Sequence, residues 1–86
     1  MNYWPYDFLL EQYQAGKMTS LGLLLRVLEI KHKHKLKDAL RLLPDEVREV
    51  GRQFVADYTP DSRLFNAERP SMRSVRFAQK WFAEHP

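Results

Sequence analysis

Residues 31–37 read Lys31-His32-Lys33-His34-Lys35-Leu36-Lys37, which puts four lysines and two histidines within seven positions. Two chemistries could use such a run. A metal ion would take the imidazoles, but His32 and His34 are two apart, whereas ligands on one helix face need a spacing of three or four. The flanking lysines would also repel a cation, and His85, next to the last residue, makes a poor third ligand. The other chemistry is attraction of a phosphate backbone by simple charge, for which Lys31, Lys33, Lys35 and Lys37 are the candidates. Against both stands the ordinary reading of a solvated, self-repelling junction between two helices.

A second basic group lies further on. Arg69 is followed by Arg73, Arg76 and Lys80, and the last three recur at steps of three and four, so they form one ridge if the segment is helical. Taken together, the lysine run and this ridge could make one nucleic-acid-binding surface. The pattern is not that of a helix-turn-helix. No glycine-bearing turn joins the segments around Pro44, and no recognition helix rich in Arg, Asn and Gln follows.

Catalytic chemistry finds little to work with. The chain has no cysteine, and the serines at 20, 62, 71 and 74 sit in capping or turn contexts without a glycine-framed elbow. Asp45 and Glu46 are adjacent, so they point away from each other, and carboxylates at a helix start are favourable for stability alone. We therefore expect a protein that is not an enzyme and uses no cofactor or metal.

Aromatic residues supply a different candidate. Tyr3, Trp4, Tyr6 and Phe8 crowd one end of the chain, and Phe77, Trp81 and Phe82 the other. If the two ends do not pack on each other or on a central helix, Tyr3, Trp4, Phe65, Trp81 and Phe82 would anchor a protein partner or a second copy of the chain.

Composition bounds these readings. Eighty-six residues with 44% apolar side chains suit one folded domain with one core. So small a core has a thin stability margin, and association between subunits is one remedy. The net charge of +3, from 14 basic and 11 acidic residues, permits a polyanionic partner without demanding one. The longest apolar stretch, Leu21 to Leu25, falls far short of the roughly 20 residues of a membrane span, and no signal-peptide pattern opens the chain. A cytoplasmic protein without a membrane span is the expectation.

The elements that must position these side chains are helical throughout. Pro5 suits a first helical position, and Tyr6, Leu9, Leu10 and Tyr13 make one apolar face that ends at Gly16. Thr19 or Ser20 can cap a second helix, apolar on most sides, that belongs in the centre of the fold and covers about residues 20–30. Gly22 within it suggests a close approach by a neighbouring helix. The lysine run should mark the break before a short third helix carrying Leu36, Ala39, Leu40 and Leu43, which Pro44 closes. Pro44-Asp45-Glu46 opens a fourth with Val47, Val50, Phe54 and Tyr58 on one side, expected to be the longest. Residues 59–70 read as an irregular connection pinned by Leu64 and Phe65. Ser71 then caps a last helix with Val75, Ala78 and Phe82 facing inward and Phe77 and Trp81 widening that face. The sum is an all-α single domain, residues 1–86, of about five helices in an irregular orthogonal bundle.

Three functions follow in order of expectation. The first is a non-enzymatic helical protein-interaction module or small regulatory subunit, self-associating or bound to a protein partner. The alternative is nucleic-acid binding through the 31–37 lysines and the basic face of the last helix. The third is attachment of that helix to an anionic membrane surface through Phe77, Trp81 and Phe82.

Overall fold

In a computed structural model, which describes residues 5–58 and 70–85, the leucine-rich segment after Thr19 is the hub. Five α-helices and no strand are found among the described residues: α1 Pro5–Gln14, α2 Ser20–Leu28, α3 Lys33–Leu42, α4 Asp45–Asp57 and α5 Met72–Glu84. The protein is a small all-α domain. Leu23, Leu24, Val27 and Leu28 of α2 expose no surface, because α1, α3, α4 and α5 all pack against this one helix. A helix that is apolar around most of its circumference can satisfy every face only from the middle of a bundle.

Local chemistry sets the boundaries. Gly16 has φ +76°, and the bonds Lys17 N–H to Gln12 O at 2.9 Å and Gly16 N–H to Tyr13 O at 3.0 Å close α1 with a left-handed turn that glycine adopts without steric cost. Thr19 caps α2, its hydroxyl accepting from the Gly22 N–H at 3.1 Å. At the other end α2 stops at Leu28, two residues short of expectation, and Glu29 serves as its C-cap. Ser71 caps α5, its Oγ accepting from the Ser74 N–H at 3.2 Å.

Three expectations need correction. The lysine run is only in part the break between helices: Lys31 and His32 lie in it, but α3 begins at Lys33 and takes in Lys33, Lys35 and Lys37. Helical geometry makes this tolerable: at 100° per residue Lys35 points almost opposite to Lys33, and only Lys33 and Lys37 share a face. The fourth helix is not the longest, because α4 and α5 each have 13 residues. The close helix approach is at Gly51, not Gly22. A Cβ at Gly22 would meet only Met18 and Thr19 of its own segment, whereas one at Gly51 would lie 2.5 Å from Phe82 Cζ across the α4–α5 contact. Residues 59–69, including Leu64, Phe65 and Arg69, lie outside the described residues, as do Tyr3 and Trp4.

The core joins Val47 and Phe54 of α4 and Val75, Ala78, Trp81 and Phe82 of α5 to the α2 leucines. Leu36, Ala39 and Leu40 bring in α3. Tyr6 of α1 is buried and donates its phenolic hydrogen to the Leu42 carbonyl at 2.8 Å, tying the first helix to the end of the third. Glu29 makes a second long-range tie. Its Oε1 accepts from the Ser71 N–H at 2.8 Å, setting the start of α5 against the end of α2. α3 and α5 thus both lean on α2 while leaving a gap between themselves.

Candidate nucleic-acid interface

That gap is a groove of about 580 Å³ lined by Lys33 and Lys37 from α3 and by Arg73, Arg76, Phe77, Lys80, Trp81 and Glu84 from α5. On α5 the lining residues fall at steps of three and four, so a single stripe of that helix faces the groove while Val75, Ala78 and Phe82 face the core. On α3, Lys33 and Lys37 are one turn apart and form the opposite rim. Five cations from two helices therefore border one groove, against Glu84 as the one carboxylate among its described lining residues. None of the five forms an ion pair with another described residue.

The cations are set against local helix preference. Carboxylates occupy the first turns of α1 (Asp7) and α4 (Asp45, Glu46), where they complement the positive end of the helix. The first turns of α3 and α5 hold no acidic residue and instead carry Lys33, Lys35 and Arg73. The like-charge pair Lys33 and Lys37 costs a further few tenths of a kcal/mol, about 0.2–0.5. Lys33 and Arg73, one on each wall of the groove, thus sit where the positive end of a helix disfavours a cation, although α2 likewise has no carboxylate in its first turn.

A second groove, of about 410 Å³, continues the first. Lys33, Arg73 and Phe77 line both, and Lys31, Ser71, Ser74 and Glu29 extend the path to the start of α5. From Ser71 to Glu84 the path follows about 20 Å of helix. Phe77, half-buried against the core, stands where the two grooves meet. Trp81 offers less: it is 4% exposed, its ring stacks on His85 with centroids 4.3 Å apart and planes 12° apart, and it meets Phe82 edge-on at 5.1 Å.

The positions singled out from sequence now divide. Lys31, Lys33, Lys37, Arg73, Arg76 and Lys80 come together along this path. Lys35 does not. It lines a recess with Leu9, Arg26 and Ile30, between α1 and the end of α2, which adjoins the second groove at Glu29, Ile30 and Lys31 but does not open on the α3–α5 groove. Arg69 lies outside the described residues. Of the aromatic anchors, Trp81 and Phe82 are 4% and 5% exposed core residues and present no free surface to a protein partner, while Tyr3, Trp4 and Phe65 lie outside the described residues. The same burial leaves a membrane-surface reading of α5 with Phe77 alone of its three aromatic residues. No helix among the described residues is long and apolar enough to cross a membrane. His32 and His34 are exposed, with ring centroids 5.9 Å apart, and no group of three or more His, Asp or Glu among the described residues is placed to hold a metal ion.

Two groove residues escape the sequence reading, which gives Phe77 to the core or to a membrane surface and Glu84 no role. The signal was present in their spacing, since Phe77 is four after Arg73 and Glu84 four after Lys80. The chain matches no protein-family model, no curated protein and no solved structure.

Proposed function

We propose that this protein binds nucleic acid, without catalysis, along the groove between α3 and α5. The observation that carries the reading is the convergence of Lys33, Lys37, Arg73, Arg76 and Lys80 on one groove from two segments more than thirty residues apart. Cations that were merely solvated would be spread over the surface with carboxylates interspersed, as Arg48–Asp45 and Arg52–Glu49 are on α4. Arginine and lysine placed over about 10 Å of α5, with a facing lysine pair, suit successive phosphates of a backbone. The expected affinity is electrostatic and falls steeply with salt.

Size-exclusion chromatography with light scattering, run with a short duplex or a short single strand at low and at moderate salt, tests this. Co-elution at low salt that disappears at moderate salt supports it. A chain that ignores both oligonucleotides at low salt refutes it, and if that chain also runs as a dimer, self-association takes its place as the function.

A further inference from the structure

We infer that the groove takes a single strand rather than a duplex and that Phe77 is the ring on which a base stacks; this rests on the nucleic-acid reading above. The shape of the site carries the inference. Lys33 and Lys37 face Arg73, Arg76 and Lys80 across an indentation floored by aromatic surface, so the charges flank a channel and do not crown a ridge. A duplex presents its phosphates on a convex cylinder too wide to enter a gap between two helices, and it would meet one rim at a time. A single strand can lie in the channel with phosphates on both rims and turn its bases to the floor, the combination of charged track and aromatic platform that such binders use. The roughly 20 Å path along α5 has room for about six stacked nucleotides at 3.4 Å each, and for fewer if the strand is extended.

The floor offers one ring. Trp81 is closed off on one face by His85, whose Nδ1 lies 2.9 Å from the Trp81 carbonyl oxygen, and on its edge by Phe82. Phe77 keeps part of its surface open to both connected grooves and sits between Arg73 and Lys80 on the lining stripe. A base on Phe77 would therefore have its own phosphate within reach of cations on either side.

Fluorescence anisotropy at low salt with three labelled probes of equal length separates the claims: a homopyrimidine single strand, the same strand made abasic, and a duplex. The base-containing strand is expected to bind about tenfold more tightly than the abasic one, near the lower end of what stacking on one ring supplies. Phe77→Leu, which keeps apolar volume but removes the ring, should erase that preference by weakening the base-containing strand more than the abasic one, and Phe77→Tyr should retain it. Circular dichroism melts establish that each variant is folded. Equal affinity for all three probes, or a preference for the duplex, overturns the single-strand inference while leaving the electrostatic site standing. Failure of every probe to bind removes the site itself.

Discussion

Replacing Gly51 by alanine should destabilise the protein even though alanine is the better helix former. The added Cβ would lie 2.5 Å from Phe82 Cζ, 3.0 Å from Cε2 and 3.3 Å from Cε1. Carbon atoms in ordinary contact sit about 3.5–4.0 Å apart, so the ring must retreat by about 1 Å. It has little room to do so, being 5% exposed and set edge-on against Trp81. Overpacking of this kind costs about 1–3 kcal/mol, and the helix propensity of alanine over glycine returns about 1 kcal/mol. The net expectation is a loss of about 1 kcal/mol, or roughly 4–8 °C in melting temperature for a domain of this size. The sign should reverse when the obstacle is removed: in a Phe82→Leu background Gly51→Ala should stabilise by about 0.5–1 kcal/mol, its helix-propensity gain being no longer opposed. Thermal and urea unfolding of the four proteins, followed by far-ultraviolet circular dichroism, yields the coupling between the two positions, expected at about 1–3 kcal/mol. Stabilisation by Gly51→Ala in the wild-type background, with negligible coupling to position 82, would refute the packing of α4 on α5 described here.

Two further outcomes follow from single contacts. Tyr6→Phe removes the hydrogen bond to the Leu42 carbonyl and should cost about 1 kcal/mol at neutral pH. Burial, and secondarily Asp7, raise the Tyr6 pKa. The contribution of the neutral phenol is thus complete below the ordinary tyrosine value of about 10 and lost as pH climbs through the raised one. Alkaline melts should show the wild type losing its advantage over Tyr6→Phe above about pH 10, and parallel curves would contradict the assignment. Glu84→Gln takes the carboxylate from the groove lining and should tighten oligonucleotide binding about two- to threefold, a modest gain because the residue is exposed. Weakened binding in the same anisotropy assay would mean that Glu84 helps to hold the ligand.

Much of this architecture is legible in the chain before any coordinates are consulted, because each helix announces itself by a local device. Thr19 and Ser71 cap, Gly16 terminates, and the apolar character of residues 23–28, broken only by Arg26, leaves no place for α2 but the middle. Sequence failed where a long-range contact decided the matter. The repulsion within residues 31–37 argues for a break, yet burial of Leu36, Ala39 and Leu40 against the core repays the start of α3 at Lys33. Gly51 falls on the Val47–Phe54 face by its spacing, but the sequence does not say that Phe82 lies across from it. The site divides in the same way. The α5 ridge could be read from steps of three and four, but which lysines of the run face it depends on the helical phase of α3, which places Lys33 and Lys37 in the groove and Lys35 outside it. Nor can periodicity decide whether Trp81 and Phe82 anchor a partner or fill the core, since both uses put them on the same helix face.

The most direct test of the central claim is the salt dependence of single-strand binding for two charge-matched variants. Lys37→Gln with Arg76→Gln removes two cations from the groove, whereas Lys17→Gln with Lys35→Gln removes two from elsewhere on the surface. If the five groove cations each meet a phosphate, the slope of log K against log salt is about −3.5 in the wild type and about −2 in the groove variant, at about 0.7 per single-strand phosphate contact. The account predicts that the second pair leaves the wild-type slope unchanged. Equal losses of slope in the two variants would contradict it, because the attraction would then belong to the protein's net charge and not to the groove.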